Sequence, residues 1–198
     1  VFNRARQMIA DDIPVVELTI GEHDIRTSPA ILEAMNKAAM GGHTGYATVP
    51  GTHALRETVA ARIQARTGVP TTKDNILITP GGQAALFAAH TAVCDACDVA
   101  LYIDPYYATY PGTIRGVGAI PRVVGTSPDT AFQPTAAALN DAAKGAKSLL
   151  VNTPNNPTGE TITSAEFSRL AEEAPQALLL VDLAYTEFAD VDLTNAAL

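Results

Sequence analysis

The chain has 198 residues, 47% hydrophobic and 17% charged, which is ample for a packed core and leaves little that reads as disorder. Thirteen Lys and Arg against 21 Asp and Glu give a formal charge of −8, which argues against a surface for nucleic acid or anionic membrane. Two cysteines are too few for a disulfide framework, and no apolar run approaches the ~20 residues of a membrane span.

The opening Val1-Phe2-Asn3-Arg4-Ala5-Arg6 lacks the layout of a signal peptide, so a cytoplasmic protein is expected. Residues 1–13 carry a mixed helical pattern, and Val15-Val16-Glu17-Leu18-Thr19-Ile20 reads as a short extended segment ending at Gly21. Ser28-Pro29 suits a helix start, and the spacing of Ile31, Leu32, Met35 and Ala39 predicts a helix that Gly41-Gly42 stops. His43 to Thr52 reads as a loop. Leu55, Val59, Ala60 and Ile63 recur at helical spacing until Gly68-Val69-Pro70.

From Asn75 the pattern changes. Short apolar runs at 76–78, 99–103, 149–151 and 177–181, with a fifth at 120–124 interrupted by Pro121, alternate with helical segments, clearest at 82–95 and 164–174. Near-continuous apolar strands alternating with helices predict a mostly parallel sheet covered on both faces. The expected fold is α/β, preceded by a smaller, mainly helical N-terminal arm.

Four of these runs end in polar or aromatic clusters: Thr79-Pro80-Gly81-Gly82-Gln83, Asp104-Pro105-Tyr106-Tyr107, Asn152 to Gly159, and Asp182-Leu183-Ala184-Tyr185. In open α/β sheets the ligand sits beyond the carboxyl ends of the strands, so that edge is the expected site. Gly81-Gly82-Gln83 suits an anion such as phosphate at a helix start, but it is neither a G-x-G-x-x-G nor a P-loop, and alone it reads as a tight turn. Asp182 emerges from a buried strand and needs a partner, either a cationic ring nitrogen or, more blandly, an Arg or a helix cap. Tyr185 either points its phenol into the same pocket or is a half-buried tyrosine with a wet hydroxyl. Asn152 to Gly159 is ordered more specifically than a turn requires, and its amides suit donors aimed at a ligand oxygen.

Asn152-Thr153-Pro154-Asn155-Asn156-Pro157-Thr158-Gly159, with Asp182-Leu183-Ala184-Tyr185 downstream, resembles the class I/II aminotransferases of PLP fold type I. Supporting matches are Gly45-Tyr46 with Gly51 and Leu55-Arg56, the Thr79–Gln83 run, and Asp104-Pro105-Tyr106-Tyr107 with Tyr110-Pro111. The resemblance implies a PLP-dependent enzyme that transfers an amino group between an amino acid and a 2-oxo acid. It also implies an arm and part of a small domain over residues 1–44 and a PLP-binding large domain over 45–198. By the same resemblance, Gly82 and Gln83 give backbone N–H groups to the phosphate of pyridoxal 5'-phosphate, and Tyr107 stacks on its ring. Asn156 and Tyr185 bond the phenolic oxygen, and Asp182 holds the ring nitrogen protonated. Tyr46 reaches the phosphate of a neighbouring subunit, implying a homodimer, and Gly21 belongs to a loop that closes near the substrate.

Two features depart from the family pattern. Gly21-Glu22-His23-Asp24 places His23 where the family has proline, either a specificity residue or an exposed histidine without a role. The family's Schiff-base lysine and substrate-carboxylate arginine lie further along than Leu198, and Lys37, Lys73, Lys144 and Lys147 match neither position. The chain therefore resembles the N-terminal portion of such an enzyme, expected to be inactive alone. A C–S lyase or decarboxylase on the same fold is the alternative enzyme. A ligand-sensing domain of a transcription regulator is the non-enzymatic one, although no basic DNA-binding segment is visible. Cys94-Asp95-Ala96-Cys97 reads as two inert cysteines at a helix end, and no metal-ligand set is evident among four scattered histidines.

Overall fold

The computed structural model describes residues 1–18, 21, 24–190 and 193–197 and divides into two compact units, Val1–Tyr46 and Ala47–Leu198. The first holds α1 (Phe2–Ala10) and α2 (Pro29–Met40). Pro29 opens α2 after Ser28, where its missing N–H costs nothing, and Gly41 closes it. The strand-like reading at residues 15–20 is not met over its described part. Val15–Leu18 is irregular, with Val16 and Leu18 exposed, and it pairs with no strand among the described residues. Thr19, Ile20, Glu22 and His23 lie outside the described residues.

The second unit begins with α3 (His53–Thr67), capped by Gly68 in the left-handed region, and a 3₁₀ turn at Lys73–Asn75. Next come α4 (Gly82–Val93), β1 (Val99–Ile103), α5 (Tyr110–Gly116) and β2 (Ile120–Val124). The chain continues through α6 (Ala136–Ala142), β3 (Ala146–Asn152), α7 (Ser164–Glu173), β4 (Leu178–Asp182) and α8 (Thr194–Ala197). Thr163 and Glu166 form a reciprocal capping box at the start of α7.

The expected run at 76–78 does not enter the sheet. Ile78 N–H donates to the Pro50 carbonyl at 3.0 Å and the Ile76 carbonyl accepts Arg56 Nε at 2.9 Å, so its polar groups are met by a loop and a buried arginine. Gly51 makes that contact possible. At φ +102° it packs so closely on Ile78 that a Cβ would come within 2.7 Å of that side chain.

All strand pairs are parallel and the order is β2-β1-β3-β4. Pro121 sits in β2, an edge of the described sheet, where a missing N–H is tolerated. From β1 the chain steps one way to β2, then crosses back past β1 to β3 and on to β4. Right-handed crossovers place helices on opposite faces for opposite steps. The core follows that rule. Leu101, Leu149 and Val151 face Leu139 of α6 and Phe167 and Leu170 of α7. The alternate residues Ala100, Tyr102 and Leu150 face Cys94 at the end of α4 and Tyr110 and Ile114 of α5. The sheet is thus covered on both faces, and winding reverses between β1 and β3. No helix among the described residues is long and apolar enough to cross a membrane.

Candidate active site

A reversal of winding opens a crevice at the carboxyl ends of the two strands that flank it. Here that crevice is a 220 Å³ cavity lined by Gly82, Gln83, Tyr107, Asn156, Asp182 and Tyr185, among others. Six of the residues singled out in the sequence therefore meet in one place, from four separate segments of the second unit. Gly21 and Tyr46 belong to the first unit, where both are exposed.

The helix start at Gly82 follows Gly81 at φ +86°, a conformation that glycine adopts without strain. The first N–H groups of α4 lie outside its own ladder, Gly81 offers no side-chain cap for them, and Gly82 and Gln83 line the cavity. Such a helix start, at the positive end of the helix dipole, is suited to an anion. The Gln83 side chain is tied to α5 by donating its amide to Thr113 Oγ1.

Asp182 ends β4 in register with Asn152 at the end of β3. Its Oδ1 accepts the Ala184 N–H at 3.0 Å and its Oδ2 accepts the Tyr110 hydroxyl at 2.8 Å. Neither an arginine nor a helix cap takes the carboxylate. Burial first, and then the negative charge of Asp182, push the Tyr110 phenol well above its ordinary range, so it remains the donor of this bond. Tyr110 also packs edge-on against Tyr107, a residue that is 41% exposed.

The Asn152–Gly159 run has a separate task for each amide. Asn152 Nδ2 donates to the Asp182 carbonyl at 3.2 Å and its Oδ1 accepts the Asn156 N–H at 2.7 Å. Asn155 Nδ2 donates to the Pro105 carbonyl at 3.1 Å, bridging the loops after β1 and β3, while its Oδ1 accepts Thr158 Oγ1 at 2.9 Å. Asn156 is left to point its amide at the Tyr185 hydroxyl, 3.4 Å away. Asn152, Asn155 and Tyr110 are the residues that sequence reasoning did not single out for a role. Only the eight-residue order of the motif hinted at the first two.

The two cysteines are free, Cys94 buried at the end of α4 and Cys97 exposed. Burial raises the Cys94 thiol above its usual range. No group of three or more potential metal ligands occurs among the described residues.

A parallel α/β domain whose strand ends hold a cavity lined by a glycine-led helix start, an aromatic ring and a carboxylate defines a ligand-binding class. Comparison with known proteins narrows it. The family model "Aminotransferase class I and II" matches residues 13–197. The chain belongs to that family. It is 33% identical over 172 residues to the aspartate/prephenate aminotransferase of Thermus thermophilus and 35% identical over 174 residues to the probable aspartate/prephenate aminotransferase of Thermus aquaticus. These matches cover 86% and 87% of this chain but 45% of each relative. Among solved structures, the Thermotoga maritima aspartate aminotransferase superposes with a TM-score of 0.88 at 28% identity, over 99% of this chain and 54% of that one. A Thermus thermophilus aspartate aminotransferase double mutant gives a TM-score of 0.83 at 32% identity, over 93% and 49%. The chain thus spans about half the length of the curated relatives it matches and corresponds to their N-terminal portion.

Proposed function

We propose that this chain is the cofactor-binding half of a PLP-dependent aminotransferase that moves an amino group between an amino acid and a 2-oxo acid, as a homodimer in the cytoplasm. The observation that carries the reading is the convergence of six residues from four segments on one cavity. Its 220 Å³ exceeds the ~150 Å³ in which a protein cavity binds benzene, so one substituted ring enters. The donor set fits an anionic, phenolic pyridine: an uncapped helix start, a partly exposed aromatic ring, an amide–phenol pair and a carboxylate.

In this reading the N–H groups of Gly82 and Gln83 hold the phosphate and the Tyr107 ring stacks on the pyridine. Asn156 and Tyr185 bond the phenolic oxygen, and the Asp182 carboxylate keeps a proton on the ring nitrogen. When bound, pyridoxal 5'-phosphate supplies an electron sink for the negative charge left by a departing α-proton, and the carboxylate at the ring nitrogen strengthens that sink. Tyr46, at 109% exposure, is free to reach a phosphate in a second subunit, and Gly21 belongs to a substrate-side loop.

Titrating the chain with pyridoxal 5'-phosphate, followed by its visible absorbance, tests the reading. Binding is expected to saturate at one per chain, to be competed by inorganic phosphate, and to weaken in Asp182→Ala and Tyr107→Ala. Affinity unchanged in both variants overturns it.

A further inference from the structure

Tyr110 opens α5, is 2% exposed, and touches two parts of the site at once. Its hydroxyl donates to Asp182 Oδ2 at 2.8 Å. Its ring lies edge-on to that of Tyr107, with centroids 5.7 Å apart and planes at 79°. One turn further along α5, Thr113 accepts the Gln83 amide and donates in turn to the Thr109 carbonyl. A single helical turn therefore contacts the carboxylate, the Tyr107 ring and, through Gln83, the start of α4.

We propose that Tyr110 is a positioning residue that aims the Asp182 carboxylate at the ring nitrogen of the cofactor and sets the tilt of the stacking Tyr107 ring. The proposal rests on the reading of Asp182 given above. A carboxylate at a strand end turns freely about its last torsion unless both oxygens are held. Oδ1 is held locally, by an N–H two residues on, whereas Oδ2 is held from 72 residues away by a side chain that burial immobilises. The choice of a phenol matters. A lysine or arginine at this position would orient the carboxylate but neutralise it, whereas a protonated phenol orients it and leaves its charge for the ligand.

Equilibrium titration of the full chain with pyridoxal 5'-phosphate and with its 1-deaza analogue, in which the ring nitrogen is CH, tests this. Tyr110→Phe is expected to weaken pyridoxal 5'-phosphate about tenfold, to change the 1-deaza analogue by no more than about twofold, and to add nothing in an Asp182→Asn background. A merely structural role would weaken both ligands alike in either background. Equal losses, or no loss, overturn the proposal. Failure of the underlying reading looks different: Asp182→Asn itself would leave the ratio of the two affinities as in the parent chain, and both ideas would fall. Should Tyr110→Phe not fold, 3-fluorotyrosine at position 110 keeps ring and hydroxyl and only makes the phenol more acidic. It has to move the ¹⁵N resonance of the bound cofactor's ring nitrogen, and an unmoved resonance is equally fatal.

Discussion

Asn152 and Asp182 end neighbouring strands, stand opposite each other in the β3–β4 register, and are joined by a hydrogen bond from the Asn152 amide to the Asp182 carbonyl. The other end of that amide accepts the Asn156 N–H. Both ends of one side chain are thus used to set the spacing between the carboxylate-bearing strand and the loop that carries Asn156. A strand end alone does not do this, because the ladder of β3 and β4 stops there.

Asn152→Ala should therefore cost stability as well as binding. It leaves the Asn156 N–H without its acceptor and removes one donor from the Asp182 carbonyl, which keeps the Thr153 N–H at 3.1 Å. Losing a half-buried hydrogen bond of this kind costs about 0.5–1.5 kcal/mol. Urea unfolding is expected to show a loss in that range with an unchanged slope, and a loss under about 0.5 kcal/mol would show that solvent replaces the amide.

In the full-length enzyme the proposed roles rank the site residues. Asp182→Ala removes the charge that stabilises the reacting state, and turnover is expected to fall by about 10²–10³ or more. Asn156→Ala removes one neutral hydrogen bond, with an expected loss of about tenfold. Steady-state rates decide it, and near-native turnover in Asp182→Ala would take that residue out of its assigned place.

The buried phenol of Tyr110 gives a pH signature. Its folded value is raised above the ordinary 10.0, chiefly by burial and then by Asp182. The stability this confers is fully present below pH 10. Above it the unfolded chain releases the proton while the folded chain retains it, so stability falls as pH rises, by up to about 1.4 kcal/mol per pH unit from this group. Tyr110→Phe should lack that part of the alkaline slope. Denaturation between pH 9 and 11 measures it, with the raised phenol of Tyr102 as a background common to both proteins.

Much of this architecture is legible in the residues themselves. The runs at 99–103 and 120–124 coincide with β1 and β2, and glycine and proline mark the ends of α2 and α3. What escaped is tertiary in origin. α5 contains Pro111, Gly112 and Gly116 in seven residues, a composition that argues against a helix; the burial of Tyr110, Pro111, Thr113 and Ile114 outweighs that propensity. The run at 76–78 is as apolar as a strand, yet its hydrogen-bond partners belong to Pro50 and Arg56 rather than to a neighbouring strand. Tyr110 and Asp182 are 72 positions apart, and no local pattern announces their bond.

The last expectation concerns the lysines. No lysine lines the cavity. Lys147 is exposed near the start of β3, five residues before Asn152, a separation of about 16 Å along a strand. Lys144 lies just before that strand and pairs with Asp141 at 2.8 Å, and Lys73 lies 3.6 Å from Glu57. Lys37 sits exposed on α2 of the first unit. These 198 residues alone are accordingly expected to bind pyridoxal 5'-phosphate without a covalent link and to show no transaminase activity, since no lysine is among the residues that line the cavity. Borohydride reduction of the purified chain mixed with the cofactor, followed by peptide mass spectrometry, measures this directly. Scattered, substoichiometric labelling is the expected result. A stoichiometric phosphopyridoxyl group on any one of the four lysines would place the chemistry away from the cavity beside Asp182 and overturn the assignment of the site.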